Sequence, residues 1–294
     1  MNISLIVNPN AGKKRGLDAA GLASSLLHET GIGVETFISQ KPGGTLEIAK
    51  DIDLDETDGV LAVGGDGTLF EIINGLLSQR GSLDIPIGQI PVGTGNSFIK
   101  DLGIATVEES VQHVIRGSSR EIDLGLFTSG DESWYFVNLL GAGFVSDVAY
   151  KAKQFKAFGA LGYVAGVMEA LKNLRAVPSK ITIDGTTFSR NMQFIEICNS
   201  RYTGGAMMMA PGAAIDDGLL DIVLLNRITR RRLLYLFPSL FKGTHVDAEE
   251  VEVIQGKRIT VETEIPLPLT PDGETFGTTP ISVEVVPKKI RMFC

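Results

Sequence analysis

The chain has 294 residues, of which 44% are hydrophobic and 21% charged, and this length suits two globular domains better than one. Its net charge is −8, and the acidic excess of residues 1–120 argues against nucleic acid as a partner. No apolar stretch approaches the roughly 18 residues of a membrane helix, and two cysteines make neither a disulfide framework nor a zinc motif.

Short apolar segments alternate with helical patterns in the first third of the chain. The predicted strands are Ile3–Val7, Val34–Ile38, Val60–Val63 and Ile87–Ile90, and the predicted helices are Leu17–Leu27, Thr45–Ile52 and Leu69–Leu77. A capping box of Thr106 and Glu109 opens a further helix that ends near Gly117. Strands joined by helical crossovers indicate a parallel sheet that is covered on both faces.

Each of these predicted strands is followed by a turn rich in Gly, Asn, Ser or Thr. The turns are Asn8–Gly12, Ser39–Gly43, Gly64–Thr68 and Pro91–Asn96. Parallel sheets bind their ligands at the carboxyl ends of the strands. Four such turns therefore predict one ligand site at this edge of the sheet.

The turn Gly64–Thr68 is the most informative of the four, because a buried strand stops there at two glycines and a helix begins. The glycines let the backbone approach a ligand, and the free amides of a helix N-terminus suit an anion. We expect Thr68 to cap the helix and Asp66 to share a divalent cation with a phosphate. A plain strand-to-helix turn with a solvated aspartate is the alternative.

Basic and polar side chains accompany the first and fourth turns. Lys13, Lys14 and Arg15 stand where a helix begins, and cations there oppose the helix dipole unless phosphate oxygens share the site. A solvated run of charges is the alternative. Thr94 and Asn96 offer a hydroxyl and an amide for a ribose, a base or a phosphate, or they belong to a plain glycine-rich turn.

After about Arg120 the pattern changes to short strands separated by turns. The predicted strands are Ile122–Phe127, Trp134–Val137, Ile181–Asp184, Phe194–Cys198, Ile222–Leu225, Val251–Ile254, Ile259–Glu262 and Ile281–Val286. Helical passages are predicted at Leu161–Leu174 and Arg230–Phe241. This pattern indicates an antiparallel, β-rich second domain.

Two acidic turns lie in this second part. Asp216, Asp217 and Asp221 surround a tight turn, and carboxylates with backbone oxygens are the ligands of Mg²⁺ or Ca²⁺. An ordinary Asp-Gly turn is the alternative there. The other turn is Pro271–Glu274, for which a β-hairpin with a solvated Glu274 is the default interpretation.

Together these motifs resemble those of the diacylglycerol kinase-like lipid kinases, which include soluble bacterial members and sphingosine kinases. The resemblance covers nearly the whole chain. It rests on Asn8-Pro9-x-Ala11-Gly12, Gly64-Gly65-Asp66-Gly67-Thr68, Pro91-x-Gly93-Thr94-x-Asn96, Asp123-Leu124-Gly125, Asp217-Gly218-x-Leu220-Asp221 and Asp272-Gly273-Glu274, in this order. The Gly-Gly-Asp-Gly element alone also occurs in NAD kinases and phosphofructokinases, which share the fold of the first domain.

The resemblance implies an α/β fold in which a phosphofructokinase-like parallel-sheet nucleotide domain precedes an antiparallel β-sandwich domain, with the active site in the cleft between them. The nucleotide-binding domain would comprise residues 1–120 and 287–294, because the family's C-terminus returns to it with a strand at Ile290–Phe293. Residues 121–286 would form the β-rich lipid-substrate domain.

The resemblance also implies roles for individual residues. Asp66 would orient the phosphates of ATP that are bound to Mg²⁺, and Glu274 would take the proton of the lipid hydroxyl. A second, structural Mg²⁺ or Ca²⁺ would bind Asp217 and the backbone oxygens of Ala214 and Leu219. The residues that would bind ATP are Asn8, Gly12, Ser39, Gly65, Asp66, Gly67, Thr68, Glu71, Thr94 and Asn96.

We therefore expect an ATP-dependent kinase that phosphorylates a lipid hydroxyl. The few cysteines and the strand-like start at Ile3 predict a cytoplasmic protein. A lipid substrate implies that this protein associates peripherally with a membrane. Three arginines followed by an apolar run make Arg230–Phe237 a candidate for contact with anionic bilayers, and packing on the second domain is the equal alternative. The sequence leaves open which lipid and nucleotide are used, and whether the chain forms a homodimer.

Two other functions compete with this expectation. NAD kinases carry an Asn-Glu pair that contacts adenosine, and the chain contains no Asn-Glu dipeptide. The presence of both Asp66 and Glu274 disfavours a regulator that binds nucleotide or lipid without turnover, because such a protein does not need the base Glu274.

Overall fold

The apolar segments of the first third form a parallel sheet, as the alternation of strands and helices predicts. The computed structural model describes residues 1–93, 95–154 and 166–294. It divides into a first unit, Met1–Leu124 with Pro287–Cys294, and a second unit, Gly125–Val286.

Four parallel strands of the first unit lie side by side in the order β4-β3-β1-β2. Their bounds are Asn2–Val7 for β1, Gly33–Ile38 for β2, Gly59–Gly64 for β3 and Ile87–Pro91 for β4. Met292, close to the end of the chain, pairs in parallel with Ile87 of β4. The strand predicted at Ile290–Phe293 in the first domain is therefore confirmed.

Helices accompany this sheet at the predicted places. They are α1 (Gly16–His28), α2 (Gly44–Asp51), α3 (Asp66–Arg80) and α4 (Val107–Arg116). The capping box of Thr106 and Glu109 is present at the start of α4. Ala20, Ala23 and Leu27 of α1 are buried against strand residues of β1 and β3. None of the helices within the described ranges is long and apolar enough to cross a membrane.

The second unit consists mainly of antiparallel strands, which confirms the β-rich second domain. The strand β5 (Ser119–Ser129) leads into it, and the others are β6 (Glu132–Phe136), β7 (Leu139–Gly143), β8 (Val177–Ile183), β9 (Thr186–Cys198), β10 (Tyr202–Thr203), β11 (Met207–Met208), β12 (Leu220–Asn226), β13 (Val251–Gly256), β14 (Arg258–Thr263), β15 (Leu269–Pro271) and β16 (Ile281–Phe293).

The long strand β9 joins two layers of the second unit. Its first half, from Thr186 to Met192, pairs with β8, whereas Phe194–Cys198 pairs with both β7 and β12. Side chains alternate along a strand, so neighbouring residues of β9 enter different clusters. Ile195 and Ile197 belong to the large core between strands, and Phe194 and Cys198 face a second cluster that includes Phe144.

Helices of the second unit pack beside that second cluster. They are α5 (Phe144–Gln154) and α6 (Arg230–Leu236), and α6 continues as a 3-10 helix at Phe237–Phe241. The helical passage predicted at Arg230–Phe241 is confirmed. Of the passage predicted at Leu161–Leu174, residues 161–165 lie outside the described ranges, while residues 166–170 are helical and Leu171–Asn173 form a 3-10 helix.

Two sequence-based expectations were incomplete or wrong. The strand Leu139–Gly143 and the helix Phe144–Gln154 were not predicted, because glycines interrupt the apolar pattern at their junction. Thr68 does not cap α3. Gly65 occupies the N-cap position, and Thr68 lies in the first turn with its hydroxyl turned toward Asn8.

Candidate active site

Three of the four predicted turns of the first unit contact one another directly. The amide Nδ2 of Asn8 donates to Oγ1 of Thr68 at 3.1 Å, which joins the first turn to the third. A Cβ on Gly12 would lie 2.9 Å from Cγ1 of Val92, so only glycine allows the first turn to pack on the fourth. The carboxyl ends of β1, β3 and β4 thus form one continuous surface.

Asp66 joins the third turn to the fourth. Its Oδ2 accepts from the amide of Ser97 at 2.8 Å, and its Oδ1 accepts from the amide of Phe98 at 3.3 Å. Burial raises the pKa of Asp66, and these two amide hydrogen bonds oppose that rise. The Ser97 side chain also hydrogen-bonds to this carboxylate. Asp66 therefore fixes the loop after β4.

The backbone after Asn8 is left-handed for three consecutive residues. Gly12, Lys13 and Lys14 have φ values of 55°, 63° and 69°. Lysine adopts this conformation only at a cost of about 1–3 kcal/mol, which the surrounding structure must offset. Both lysines are exposed, and the Arg15 guanidinium donates through Nε to the Gly12 carbonyl at 2.9 Å.

The remaining predicted ATP residues lie close to this surface or outside the described ranges. Ser39 follows β2, and its Oγ donates to the Lys41 carbonyl at 2.9 Å. Glu71, one turn into α3, accepts a short hydrogen bond from the Thr45 hydroxyl of α2. Gly67 lies in the first turn of α3. Thr94 lies outside the described residues.

The arrangement fits a nucleotide in two respects. No side chain of the described residues caps α3, so the first turn of that helix can receive a phosphate. The Asn96 Nδ2 donates to the Gly93 carbonyl at 3.4 Å, and its Oδ1 is buried without a hydrogen-bond partner. That orphaned oxygen is an acceptor, so it suits a hydroxyl or amino group of a nucleoside and not a phosphate.

The donor set around Asp66 also limits how Mg²⁺ can be held. Within the described ranges, no three His, Cys, Asp or Glu side chains are grouped to hold a metal ion. Mg²⁺ commonly keeps several waters and binds one or two carboxylates together with substrate phosphates. A single carboxylate at the uncapped N-terminus of α3 fits that mode.

In the second unit, Glu274 lies on a hairpin turn that is fixed by its neighbour Asp272. The Asp272 carboxylate is buried and accepts from the amides of Val137, Asn138 and Leu139 at 2.9, 2.9 and 3.0 Å. The Glu274 amide donates to the Pro271 carbonyl at 2.8 Å, which closes the turn. The half-buried Glu274 side chain is therefore carried by a rigidly anchored backbone.

An apolar cavity of about 160 Å³ borders this turn. Gly273 and Thr270 lie in its wall, and most of the lining is aliphatic, aromatic or methionine side chains, such as Phe144, Val148, Phe194, Met207, Met209, Leu233 and Phe237. All of these residues belong to the second unit. The cavity is therefore a property of that unit alone.

One side chain in the cavity wall carries an ionisable group. Glu196 of β9 is only 4% exposed, and its Oε2 has no hydrogen-bond partner. Burial raises the pKa of Glu196 to about 8. A Cβ on Gly141 would lie 3.2 Å from Oε1 of Glu196 and 2.9 Å from Oγ1 of Thr270, so glycine leaves room for both polar groups.

The predicted cation ligands lie on a separate turn of the second unit. Asp217 is exposed, and its Oδ1 accepts from the Leu219 amide at 3.0 Å. Ala214 precedes it on the same loop, half-buried. Burial raises the pKa of nearby Asp221, and the charge of Asp217 adds to that rise, so negative charge is concentrated at this turn.

The predicted membrane segment is partly engaged in contacts with the protein. Arg232 forms a salt bridge with Glu250 at 2.9 Å, and Arg230 donates to the Lys172 carbonyl at 2.6 Å. Leu234 and Tyr235 are 42% and 76% exposed. One face of α6 thus packs on the unit while the other presents large apolar side chains to solvent.

Sequence reasoning missed Glu196 and the anchoring role of Asp272. Glu196 stands in the apolar run Phe194–Cys198. A glutamate inside a predicted buried strand is the signal that could have indicated a functional carboxyl group. Sequence reasoning gave Asp272 no role of its own in the acidic turn, and the structure buries it. Its three amide donors come from residues more than 130 positions away, which no local pattern reveals.

Comparison with known proteins assigns both parts of the chain. Residues 2–127 match the diacylglycerol kinase catalytic domain. Residues 138–294 match the YegS C-terminal NAD kinase beta sandwich-like domain. These matches confirm the predicted fold class of a parallel-sheet α/β domain followed by a β-sandwich domain.

Relatives match over nearly the full length. The chain is 30% identical to a diacylglycerol kinase of Mycobacterium tuberculosis (strain CDC 1551 / Oshkosh), with 99% of this chain and 94% of the relative covered. It is 28% identical to a diacylglycerol kinase of Bacillus subtilis (strain 168), with 94% and 90% covered. A crystal structure of a candidate diacylglycerol kinase from Bacillus anthracis str. Sterne has a TM-score of 0.82 at 25% identity, with 99% and 96% covered. The chain belongs to the diacylglycerol kinase-like lipid kinase family.

Proposed function

We propose that this protein is an ATP-dependent lipid kinase that phosphorylates the hydroxyl group of a diacylglycerol-type lipid. The observation that carries the proposal is the apolar cavity of the second unit, whose wall includes Gly273, the neighbour of Glu274. An acceptor lipid needs an apolar site for its chain and a proton acceptor near its hydroxyl. The second unit has both within a few residues.

The cavity volume limits how much of a lipid enters it. About 160 Å³ is close to the volume of a dry apolar cavity that holds benzene. The cavity therefore suits a segment of one acyl chain and not a whole diacyl lipid. The rest of the acceptor would stay outside, which agrees with a substrate that is drawn from a bilayer.

Glu274 is the proposed base of the reaction. A carboxylate that takes the proton of the attacking hydroxyl typically contributes about 10²–10⁴-fold to the rate. The Asp272 carboxylate accepts three hydrogen bonds from backbone amides, and these hold the Glu274 turn in one place. Asp272 is therefore a positioning residue in this proposal. Positioning and charge neutralisation are what phosphoryl transfer chiefly requires of a protein.

The first unit supplies the proposed ATP site. The uncapped turn of α3 would receive phosphate oxygens, and the orphaned Oδ1 of Asn96 would accept from the nucleoside. Asn8 and Thr68, which bond to each other, would keep the first and third turns in register. Bound Mg²⁺ would neutralise the phosphates, with Asp66 as the nearby carboxylate.

Two further parts of the proposal concern a cation and a membrane. Asp217, with backbone oxygens of Ala214 and Leu219, would hold a structural Mg²⁺ or Ca²⁺, supported by the concentrated negative charge at this turn. The exposed Leu234 and Tyr235 of α6 would contact a bilayer near the cavity, since Leu233 of the same helix lines it.

The purified protein with radiolabelled ATP, Mg²⁺ and a panel of acceptors tests the proposal. We expect label in the organic phase with diacylglycerol, and none with NAD. Label in NAD would instead indicate an NAD kinase. Binding of ATP and lipid without transfer to any acceptor would indicate a regulator, and would refute the proposed activity.

A further inference from the structure

The cavity wall contains one buried carboxyl group, that of Glu196, which the proposed function does not use. Along β9 the side chains on the face of the second cluster are Phe194, Glu196 and Cys198, so a carboxyl group interrupts a row of apolar side chains. A buried polar group without a partner destabilises the fold. Such a group is retained in a binding site when a ligand supplies the missing partner.

The protonation state of Glu196 determines which partner suits it. None of the described residues that line the cavity is basic. Burial raises the pKa of Glu196 to about 8, so the carboxyl is mostly protonated at pH 7. A protonated carboxyl offers one O–H donor. Its natural partner is an uncharged oxygen and not an amine.

The position of Glu196 relative to the proposed base, Glu274, indicates which oxygen of a ligand would accept its hydrogen bond. Gly141, against which the carboxyl lies, pairs with Thr270 of β15, and the Pro271–Glu274 turn follows directly. In an acylglycerol, an ester carbonyl is separated from the free hydroxyl by only a few bonds. A donor beside Thr270 is therefore at a fitting place for a carbonyl when the hydroxyl is at Glu274.

We propose that Glu196 is a specificity-determining residue that donates a hydrogen bond to the ester carbonyl of an uncharged acylglycerol in the cavity. The inference rests on the proposed lipid kinase function, which it deepens by naming the chemical group that is recognised. Glu196 takes no part in proton transfer. It selects an ester over an ether and an uncharged acceptor over a cationic one.

The test compares 1-monooleoylglycerol with its ether analogue 1-O-oleylglycerol, which has the same chain and hydroxyls but no carbonyl. Affinities are measured by displacement of a fluorescent fatty acyl probe, so turnover is not needed. One hydrogen bond corresponds to about a three- to tenfold preference for the ester in the wild type. Glu196→Gln keeps a donor and should keep that preference. Glu196→Leu should reduce the ratio to about one.

The controls separate binding from folding. Glu284→Ala, on the exposed face of β16 in the same unit, should leave the ratio unchanged. Glu196→Leu removes a buried carboxyl, so its melting temperature should be equal to or above that of the wild type. A purely structural role would lower the melting temperature and would affect both lipids equally.

Several outcomes would overturn the inference. These are equal wild-type affinity for ester and ether, no displacement by either lipid, or an unchanged ratio in Glu196→Leu. If the ester preference is present but the wild type transfers no phosphate to diacylglycerol, the proposed kinase function fails and the role of Glu196 stands.

Discussion

Glu196 makes the stability of the second unit depend on pH in a direction that can be calculated. In the unfolded chain this carboxyl ionises near its ordinary value of 4.5, whereas burial raises its folded pKa to about 8. Between these values the unfolded state releases a proton that the folded state keeps. The folded state therefore loses stability as pH rises from about 4.5 to about 8.

The size of this effect follows from the shift. Each pH unit between the two pKa values changes the free energy of unfolding by about 1.4 kcal/mol. Between pH 5 and pH 8 the wild type should lose about 4 kcal/mol through this one group. Glu196→Gln has no proton to release, so it should gain that amount relative to the wild type over the same range.

The assay uses the single tryptophan of the chain. Trp134 lies in the second unit and packs against Phe276, with ring centroids 4.6 Å apart, so its fluorescence reports the unfolding of this unit. Urea unfolding of the wild type and of Glu196→Gln at pH 5, 6, 7 and 8 gives the difference in their free energies of unfolding at each pH. Asp221 and Cys198 also have raised pKa values through burial, but both groups remain in the variant.

A difference that stays constant from pH 5 to pH 8 would refute the reasoning, because Glu196 would then ionise in the folded state as it does in water. A difference that grows in the opposite direction would show that the carboxylate is stabilised by a partner. In both cases the proposal that Glu196 is a neutral hydrogen-bond donor in the cavity would be wrong as well.

Three other changes test separate parts of the account. Asp217→Ala should abolish most of the Mg²⁺-dependent rise in melting temperature, and an equal rise in both proteins would exclude a cation at this turn. Asp272→Asn should lower the stability of the second unit by about 1–3 kcal/mol, because one buried amide would then face an NH₂ group; unchanged urea unfolding would contradict the anchoring role. Arg231→Gln should weaken sedimentation with phosphatidylglycerol vesicles more at low salt than at high salt, whereas Arg116→Gln should not. Equal sedimentation of these two variants would argue against α6 as the docking helix.

The fold could be predicted largely from local patterns. The hydrophobic pattern of the sequence predicts the apolar strands of the first unit, and the positions of the glycines predict the turns after them, as at Gly64–Thr68. The strand at Leu139–Gly143 could not, because three of its residues are glycine or alanine and a helix begins at the next residue. Thr68 shows the limit of capping rules, since a tertiary partner, Asn8, took the hydroxyl.

The candidate site could be predicted where one motif contains the chemistry, and not where distant segments meet. Asp66 and Glu274 stand in recognisable turns, and their catalytic roles stay predictions. The hydrogen bonds from the Ser97 and Phe98 amides to Asp66 depend on the order of the strands in the sheet, which the sequence implies only indirectly. The exposure of Glu196 to an apolar cavity depends on residues of five or more elements, so it required the structure.

The central claim is that Glu274 accepts the proton of a lipid hydroxyl, and the steady-state rate of diacylglycerol phosphorylation tests it most directly. Glu274→Gln keeps the shape of the side chain and removes the proton acceptor, and Glu264→Gln changes an exposed carboxylate of the same unit as the control. We predict that Glu274→Gln lowers kcat by about 10²–10⁴-fold with ATP affinity unchanged, while Glu264→Gln keeps wild-type rates. Near wild-type kcat in Glu274→Gln, on a lipid that the wild type phosphorylates, would contradict the account.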